Sequence, residues 1–133
     1  IRLIYRQSIE RCGIITSNNL KKRVSTMIID RNTDINTVIE EDVIITNSAT
    51  FHMHGILNGN IYVEENSTFY LHGILNGDLT TKANSSSQLS GIMNGNILKN
   101  DGKIKLSGIL NTKLVVPQNL VKEPGCYING EKY

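Results

Sequence analysis

A phrase of eight residues occurs four times between residues 54 and 114, and it constrains the fold more than any other feature. Each copy has the form His/Ser-Gly-Ile-Leu/Met-Asn-Gly/Thr-polar-Ile/Leu, and the copies span residues 54–61, 72–79, 90–97 and 107–114. Their first glycines, which lie 18, 18 and 17 residues apart, are Gly55, Gly73, Gly91 and Gly108. A fixed short period is typical of stacked repeats, in which each unit buries its apolar face against its neighbours.

The length of the repeat favours a β-solenoid over a helical repeat. Eighteen residues accommodate three short strands with corners between them, whereas two-helix repeats need about 33 residues. The corners contain Asn-Gly-Asn, Asn-Gly-Asp and Asn-Ser-Ser, and these residues accept tight or left-handed backbone conformations. Glycine inside every candidate segment also opposes a helix, at about 1 kcal/mol each relative to alanine. We therefore predict an all-β protein, a right-handed, three-sided parallel β-helix with about 18 residues per coil.

The regular coils are predicted to cover residues 34–116 of a single domain. One period before the first phrase the glycines are absent, but the apolar positions keep step. Ile35 aligns with Met53, and Val38 aligns with Ile56. The register therefore extends about one coil towards the N-terminus.

The two flanking segments are predicted to close the ends of the solenoid. Residues 1–33 lack the repeat, and we assign them to an N-terminal cap because the open end of a solenoid core needs an atypical terminal unit. Pro117 ends the last predicted strand because it has no N–H for the ladder. Residues 117–133, with turn signals at Pro124-Gly125 and Asn129-Gly130, are predicted to form a C-terminal cap or hairpin.

Stacked coils place equivalent residues about 4.8 Å apart in columns. Two columns are predicted to lie in the core: Met53, Leu71, Leu89 and Leu106, and Ile61, Leu79, Ile97 and Leu114. A polar column is predicted to form a ladder of side-chain amides from coil to coil: Asn58, Asn76, Asn94 and Asn111.

Two further apolar columns are adjacent in sequence: Ile56, Ile74, Ile92 and Ile109, and Leu57, Leu75, Met93 and Leu110. Neighbouring residues on a strand point to opposite faces, so both columns are buried only if the chain bends between them. Otherwise one column forms an apolar stripe on the outside, which marks an interaction surface. The sequence leaves both arrangements open, and the candidate protein-contact residues are Leu57, Leu75, Met93 and Leu110.

All three histidines of the chain lie close together in the predicted register. His54 and His72 share a column and are expected about 4.8 Å apart, and His52 lies about 6.6 Å from His54 on the same strand face. Three imidazoles on one face can ligate zinc or copper. Ser90 and Ser107 continue the column, however, and no cysteine or carboxylate completes the set. A solvated polar ladder is therefore the preferred interpretation, a metal site is the alternative, and no cofactor is predicted.

No arrangement of residues indicates catalysis. Glu40, Glu41 and Asp42 form a charged corner, and the sequence shows no pair of carboxylates positioned across a groove, as glycoside hydrolysis requires. The Gly-x-Ser-x-Gly elbow and phosphate-binding loops are absent from the sequence. We therefore predict that the protein is not an enzyme.

Charge is distributed unevenly along the chain. Residues 1–31 contain seven basic and two acidic side chains, the remainder has a net charge of −3, and the total of +2 does not indicate nucleic-acid binding. A basic end can favour head-to-tail association, an acidic partner or an anionic membrane surface; a solvated end is the simpler interpretation.

Cysteine content and hydropathy bear on location. Cys12 and Cys126 form no paired metal-ligand spacing and are interpreted as free thiols in a reducing compartment. No stretch approaches the roughly 20 apolar residues of a membrane span, and residues 1–10 lack the apolar core of a signal peptide. A cytoplasmic protein is expected.

The repeat resembles a known family. The segments 55–61 and 71–79 resemble the Gly-x-hydrophobic-x-Gly-Asp/Asn-Ile units of the bactofilins, and the resemblance covers residues 34–116. It implies a small right-handed parallel β-helix that polymerises end to end as a bacterial cytoskeletal scaffold.

Three functional hypotheses follow. The first is a bactofilin-like scaffold that associates with itself by strand addition at the coil ends. The second is a small immunity or inhibitor protein that neutralises a cognate bacterial toxin. The third is a metal-binding protein that uses the histidine face.

Overall fold

The computed structural model describes the strand Ile4–Arg6 and residues 26–133. These residues contain nineteen strands and no helix, and they form a β-solenoid of about six turns. The strands lie in three sheets of six, seven and six members, one for each side of the solenoid. The predicted three-sided parallel solenoid is confirmed.

Each sheet takes one strand from successive coils. Sheet A has the order β1 (Ile4–Arg6), β2 (Thr26–Ile29), β5 (Asp42–Ile45), β8 (Ile61–Val63), β11 (Leu79–Thr81), β14 (Ile97–Asn100). Sheet B has the order β3 (Thr33–Ile35), β6 (Thr50–Met53), β9 (Thr68–Leu71), β12 (Ser86–Leu89), β15 (Lys103–Leu106), β17 (Leu120–Lys122). Sheet C has the order β4 (Val38–Ile39), β7 (Ile56–Asn58), β10 (Ile74–Asn76), β13 (Ile92–Asn94), β16 (Ile109–Asn111), β18 (Tyr127–Ile128), β19 (Glu131–Lys132).

The N-terminal register is confirmed, but the coils begin earlier than residue 34. Ile35 pairs with Met53 and Val38 with Ile56, as the alignment predicts. In addition β2 pairs in parallel with β5, with Met27 opposite Val43, so the stack already includes residue 26. Paired residues of β2 and β5 are 16 residues apart rather than 18, so an 18-residue period does not detect this coil. Most of the predicted N-terminal cap, namely residues 1–3 and 7–25 with Cys12, lies outside the described residues.

The coils also continue past Pro117, contrary to the predicted boundary at residue 116. Strand β17 pairs in parallel with β15, and β18 pairs in parallel with β16. The predicted C-terminal hairpin is confirmed, because β19 pairs antiparallel with β18 and the turn residues Asn129 and Gly130 both have positive φ angles. The free thiol of Cys126, which lies between β17 and β18, is buried.

The two predicted core columns are confirmed except at one residue. Seven of their members are buried, but Leu114 is 51% exposed. Thr112 stands one coil after Gly95, and a side chain at this corner would meet the carbonyl group of the preceding coil. The chain instead leaves the stack, while the Thr112 hydroxyl donates a hydrogen bond to Asn96 Oδ1 over 2.8 Å. Val116 packs against the core end in its place.

The four candidate protein-contact residues, Leu57, Leu75, Met93 and Leu110, are fully buried. As candidate protein-contact residues they are therefore wrong, and of the two arrangements left open the structure has the one in which a single column faces outward. Each lies in the middle of a three-residue strand of sheet C and points inward, while the preceding isoleucine points outward. The outward column consists of Ile56, Ile74, Ile92 and Ile109.

Two different constraints shape the corners. Asn66 and Asn84 adopt left-handed φ angles of 63° and 61°, as expected of asparagine in tight turns. Gly73 and Gly77 do not have positive φ; they are required because a Cβ at either position would overlap the backbone of the preceding coil. The glycine columns therefore reflect close coil packing rather than backbone conformation.

The predicted amide ladder is present on the outer face of sheet C. Asn76 donates to Asn58, Asn94 to Asn76 and Asn111 to Asn94, each from Nδ2 to Oδ1 over 2.8 Å. An interior member such as Asn76 therefore makes two of these bonds, whereas the terminal member Asn58 makes one.

Replacing Asn76 with alanine is expected to lower the free energy of unfolding by about 1–2 kcal/mol, because two partly solvated amide hydrogen bonds are lost. The matched variant Asn58→Ala is expected to lose about half as much, since it breaks one bond. Urea unfolding followed by circular dichroism measures both values. Equal losses for the two variants would contradict an energetic role for the ladder.

Candidate functional site

The three histidines converge on the outer face of sheet B. His52 lies on β6, and His54 and His72 directly follow β6 and β9. One ring nitrogen from each residue lies within 4.8 Å of the other two, and Nδ1 of His52 is 3.2 Å from Nε2 of His72. The sequence therefore identified the cluster correctly. It did not predict the short distance between ring nitrogens of His52 and His72, which lie diagonally across two neighbouring strands.

The three imidazole rings are nearly parallel. The planes of His54 and His72 differ by 9° with centroids 4.7 Å apart, and those of His52 and His72 differ by 2° with centroids 5.4 Å apart. This arrangement follows from the sheet, because His54 stands one coil before His72 and the strand spacing stacks the two rings. Their backbone positions are fixed by the ladder bonds from His54 N–H to Ile35 O and from His72 N–H to Met53 O, at 2.7 and 2.9 Å.

Burial and the neighbouring groups affect the protonation of His72. Partial burial lowers the pKa of His72, and the neighbouring charges of His54 and His52 lower it further. The carboxylate of Asp34, which lies opposite His52 on β3, acts in the other direction. Burial and the two neighbouring histidines therefore favour the neutral form of the His72 imidazole, the form that can accept a metal ion.

Tyr70 belongs to the same surface but was not recognised from the sequence. Its ring stacks on that of His52, with centroids 4.6 Å apart and planes within 12°. Tyr70 follows His52 by one 18-residue period, so the register alone could have placed it there. The result is a flat patch of four aromatic rings on one side of the solenoid.

A second surface lies on the outer face of sheet C, and we call it the apolar stripe. It consists of one outward apolar residue from each of six successive coils: Val38, Ile56, Ile74, Ile92, Ile109 and Tyr127. Val38, Ile109 and Tyr127 are 56%, 37% and 38% exposed, and the three between them are half-buried. The amide ladder runs beside the stripe. The four sheet C strands β7, β10, β13 and β16 contain no charged residue.

Each of the three sheets ends in a different way at the C-terminal end of the solenoid. In sheet C the antiparallel strand β19 covers β18. In sheet A the pairing of β11 with β14 shifts register, which places an irregularity at the edge strand. In sheet B, Lys122 occupies the position that pairs with the buried Leu106, and its ammonium lies 4.7 Å from the centre of the Tyr133 ring. Lysine side chains on an edge strand, bulges and short strands are the devices by which proteins prevent edge-to-edge pairing.

The acidic corners show no convergence with the histidine cluster beyond Asp34. Glu64 forms an ion pair with Lys82 at 3.0 Å, which links successive coils at one corner. Burial raises the pKa of Glu41, one of whose carboxylate oxygens has no hydrogen-bond partner among the described residues. Within the part of the chain that the structure describes, no helix is long and apolar enough to cross a bilayer.

Comparison with known proteins leaves the family open. A scan against protein families and searches of curated proteins and of solved structures find no match to this chain. The β-solenoid itself is compatible with the bactofilin resemblance, which rests on the repeat pattern and stays a hypothesis.

Proposed function

We propose that the protein is a non-catalytic, self-associating β-solenoid scaffold whose copies pair through the outer face of sheet C. The observation that carries this proposal is the apolar stripe. Six outward apolar side chains from consecutive coils give a continuous surface about 24 Å long at the usual strand spacing. Soluble proteins rarely expose contiguous apolar surface without a partner.

The composition of this face suits a second copy of the chain. Interface cores are depleted in charged residues, and the triplets of β7, β10, β13 and β16 contain only Ile, Leu or Met, and Asn. Closed dimers use the same patch on both subunits. Since isoleucine recurs at four successive positions, a two-fold axis through the middle of the stripe places Ile74 of one copy against Ile92 of the other.

The protected C-terminal end limits the size of the assembly. Bactofilin-like growth requires coil ends that accept a further strand, whereas Lys122 and β19 guard two of the three sheets here. Pairing through a side face requires neither end. A discrete scaffold of paired solenoids is therefore favoured over a long filament.

The second candidate function is that of an immunity or inhibitor protein, in which the same face binds a toxin instead of a second copy of the chain. An immunity or inhibitor protein acts as a discrete unit, and the guarded end favours such a unit. In that case the apolar stripe would cover an uncharged surface of a toxin. The two candidates differ in the mass of the isolated protein, because only self-association gives a dimer without a partner.

Ile74→Lys is expected to convert the dimer into a monomer, because it places two charges at the centre of the uncharged interface. Size-exclusion chromatography with light scattering over a wide range of concentration measures the mass. The matched control is Thr80→Lys, which adds the same charge to a half-buried outward position of sheet A and is expected to leave the dimer intact. A parent protein that remains monomeric at every concentration would overturn self-association and leave the second candidate.

A further inference from the structure

We propose that His52, His54 and His72 form a three-imidazole binding site for a divalent transition metal ion, for which Zn²⁺ is the probe. This site lies on sheet B and is independent of the dimer proposed on sheet C. It is carried by the convergence of three ring nitrogens within 4.8 Å of one another. Imidazole nitrogen is a preferred ligand of zinc and copper, and three histidines with one open position form a known type of zinc site.

The closest pair already has the spacing that a metal ion requires. Zinc–nitrogen bonds of about 2.0–2.1 Å in a tetrahedral arrangement place two ligand nitrogens about 3.3 Å apart. Nδ1 of His52 and Nε2 of His72 are 3.2 Å apart. Their ring centres are 5.4 Å apart in nearly parallel planes, so the two nitrogens face each other across the gap. A metal ion would take the place of the one proton in this contact and would lie to the side of the line between the nitrogens, so each ring must tilt until its lone pair points to the ion.

The third ligand requires only side-chain rotation. His54 stacks on His72, and both side chains are exposed, so their rings are free to turn until their nitrogen lone pairs meet at one point. The backbone under them does not have to move, because ladder hydrogen bonds hold His54 and His72 one strand apart. Rigid positioning of the supporting backbone is what a precise metal site needs.

The surroundings supply the remaining requirements. The cluster faces solvent, so water can take the fourth coordination position. Asp34 lies opposite His52 on the neighbouring strand and contributes a negative charge beside the ion. This negative charge favours a bound cation through its electrostatic attraction.

Zinc titration of the purified full chain by isothermal calorimetry tests the site directly. One ion per chain is expected, and the thermal midpoint of unfolding is expected to rise with Zn²⁺ concentration, since a ligand that binds the folded state stabilises it. Absence of saturable binding by the parent protein would overturn the proposal.

A variant that exchanges two residues distinguishes a site that needs all three histidines together from nonspecific metal binding by exposed histidines. His52→Lys combined with Lys105→His preserves composition and charge but moves one imidazole three strands along the same outward column. The affinity for Zn²⁺ is expected to fall at least tenfold, because even supporting residues of metal sites contribute 10–100-fold. Unchanged affinity, with unfolding that confirms an intact fold, would show that convergence is not needed and would overturn the site.

Discussion

Gly73→Ala is expected to lower the free energy of unfolding by about 3 kcal/mol or more, at or above the upper end of the usual overpacking range. A Cβ at this position would overlap the carbonyl oxygen of Gly55, far inside the 3.0 Å limit that real Cβ atoms respect. That oxygen cannot move freely, since it accepts the ladder hydrogen bond of Ile74 at 3.0 Å. Urea unfolding followed by far-ultraviolet circular dichroism measures the loss.

Gly130→Ala is the matched control. Gly130 has a φ of 86°, but a Cβ there would meet no atom within 4 Å. Its replacement is expected to cost only the strain of a left-handed alanine, about 1–2 kcal/mol. A loss for Gly73→Ala no larger than the loss for Gly130→Ala would mean that overlap with the preceding coil does not require glycine in these columns.

The regular part of the fold was predictable because one physical constraint repeats. Identical spacing of apolar and polar residues implies identical stacking, so the alignment of Ile35 with Met53 and the asparagine ladder followed from counting alone. The same counting placed the three histidines on one face. The short distance between the ring nitrogens of His52 and His72 could not be predicted in this way, since it depends on the side-chain rotamers of the two residues.

The irregular parts depended on atoms that the period does not specify. The choice between Ile56 and Leu57 as the buried residue depends on how the corner at Gly55 turns against the backbone of the coil before it. Leu114 continues the apolar column in sequence but not in space, because Thr112 cannot occupy the corner that glycine fills in earlier coils. One side chain at a corner thus changes the burial of a residue two positions later.

Replacing Phe69 with alanine is expected to lower the free energy of unfolding by about 3–5 kcal/mol. The side chain is fully buried at the centre of the solenoid, where its ring lies 6.0 Å from that of Phe51. On its other side the same column continues with the small Ser87, so no large neighbour can fill the space. The walls of the solenoid are continuous hydrogen-bonded ladders that resist collapse, so most of the cavity remains. Equilibrium unfolding in urea gives the value.

Phe69→Leu is the informative comparison, because it keeps most of the buried volume at the same position. Its cost is expected to stay at about 1.5 kcal/mol or less, as for volume-conserving changes in other cores. If the alanine variant lost no more stability than the leucine variant, the coils would have to close around the missing ring. A stack held at fixed spacing by backbone hydrogen bonds cannot do so without breaking them, and the rigid backbone inferred beneath the histidine cluster would then be wrong.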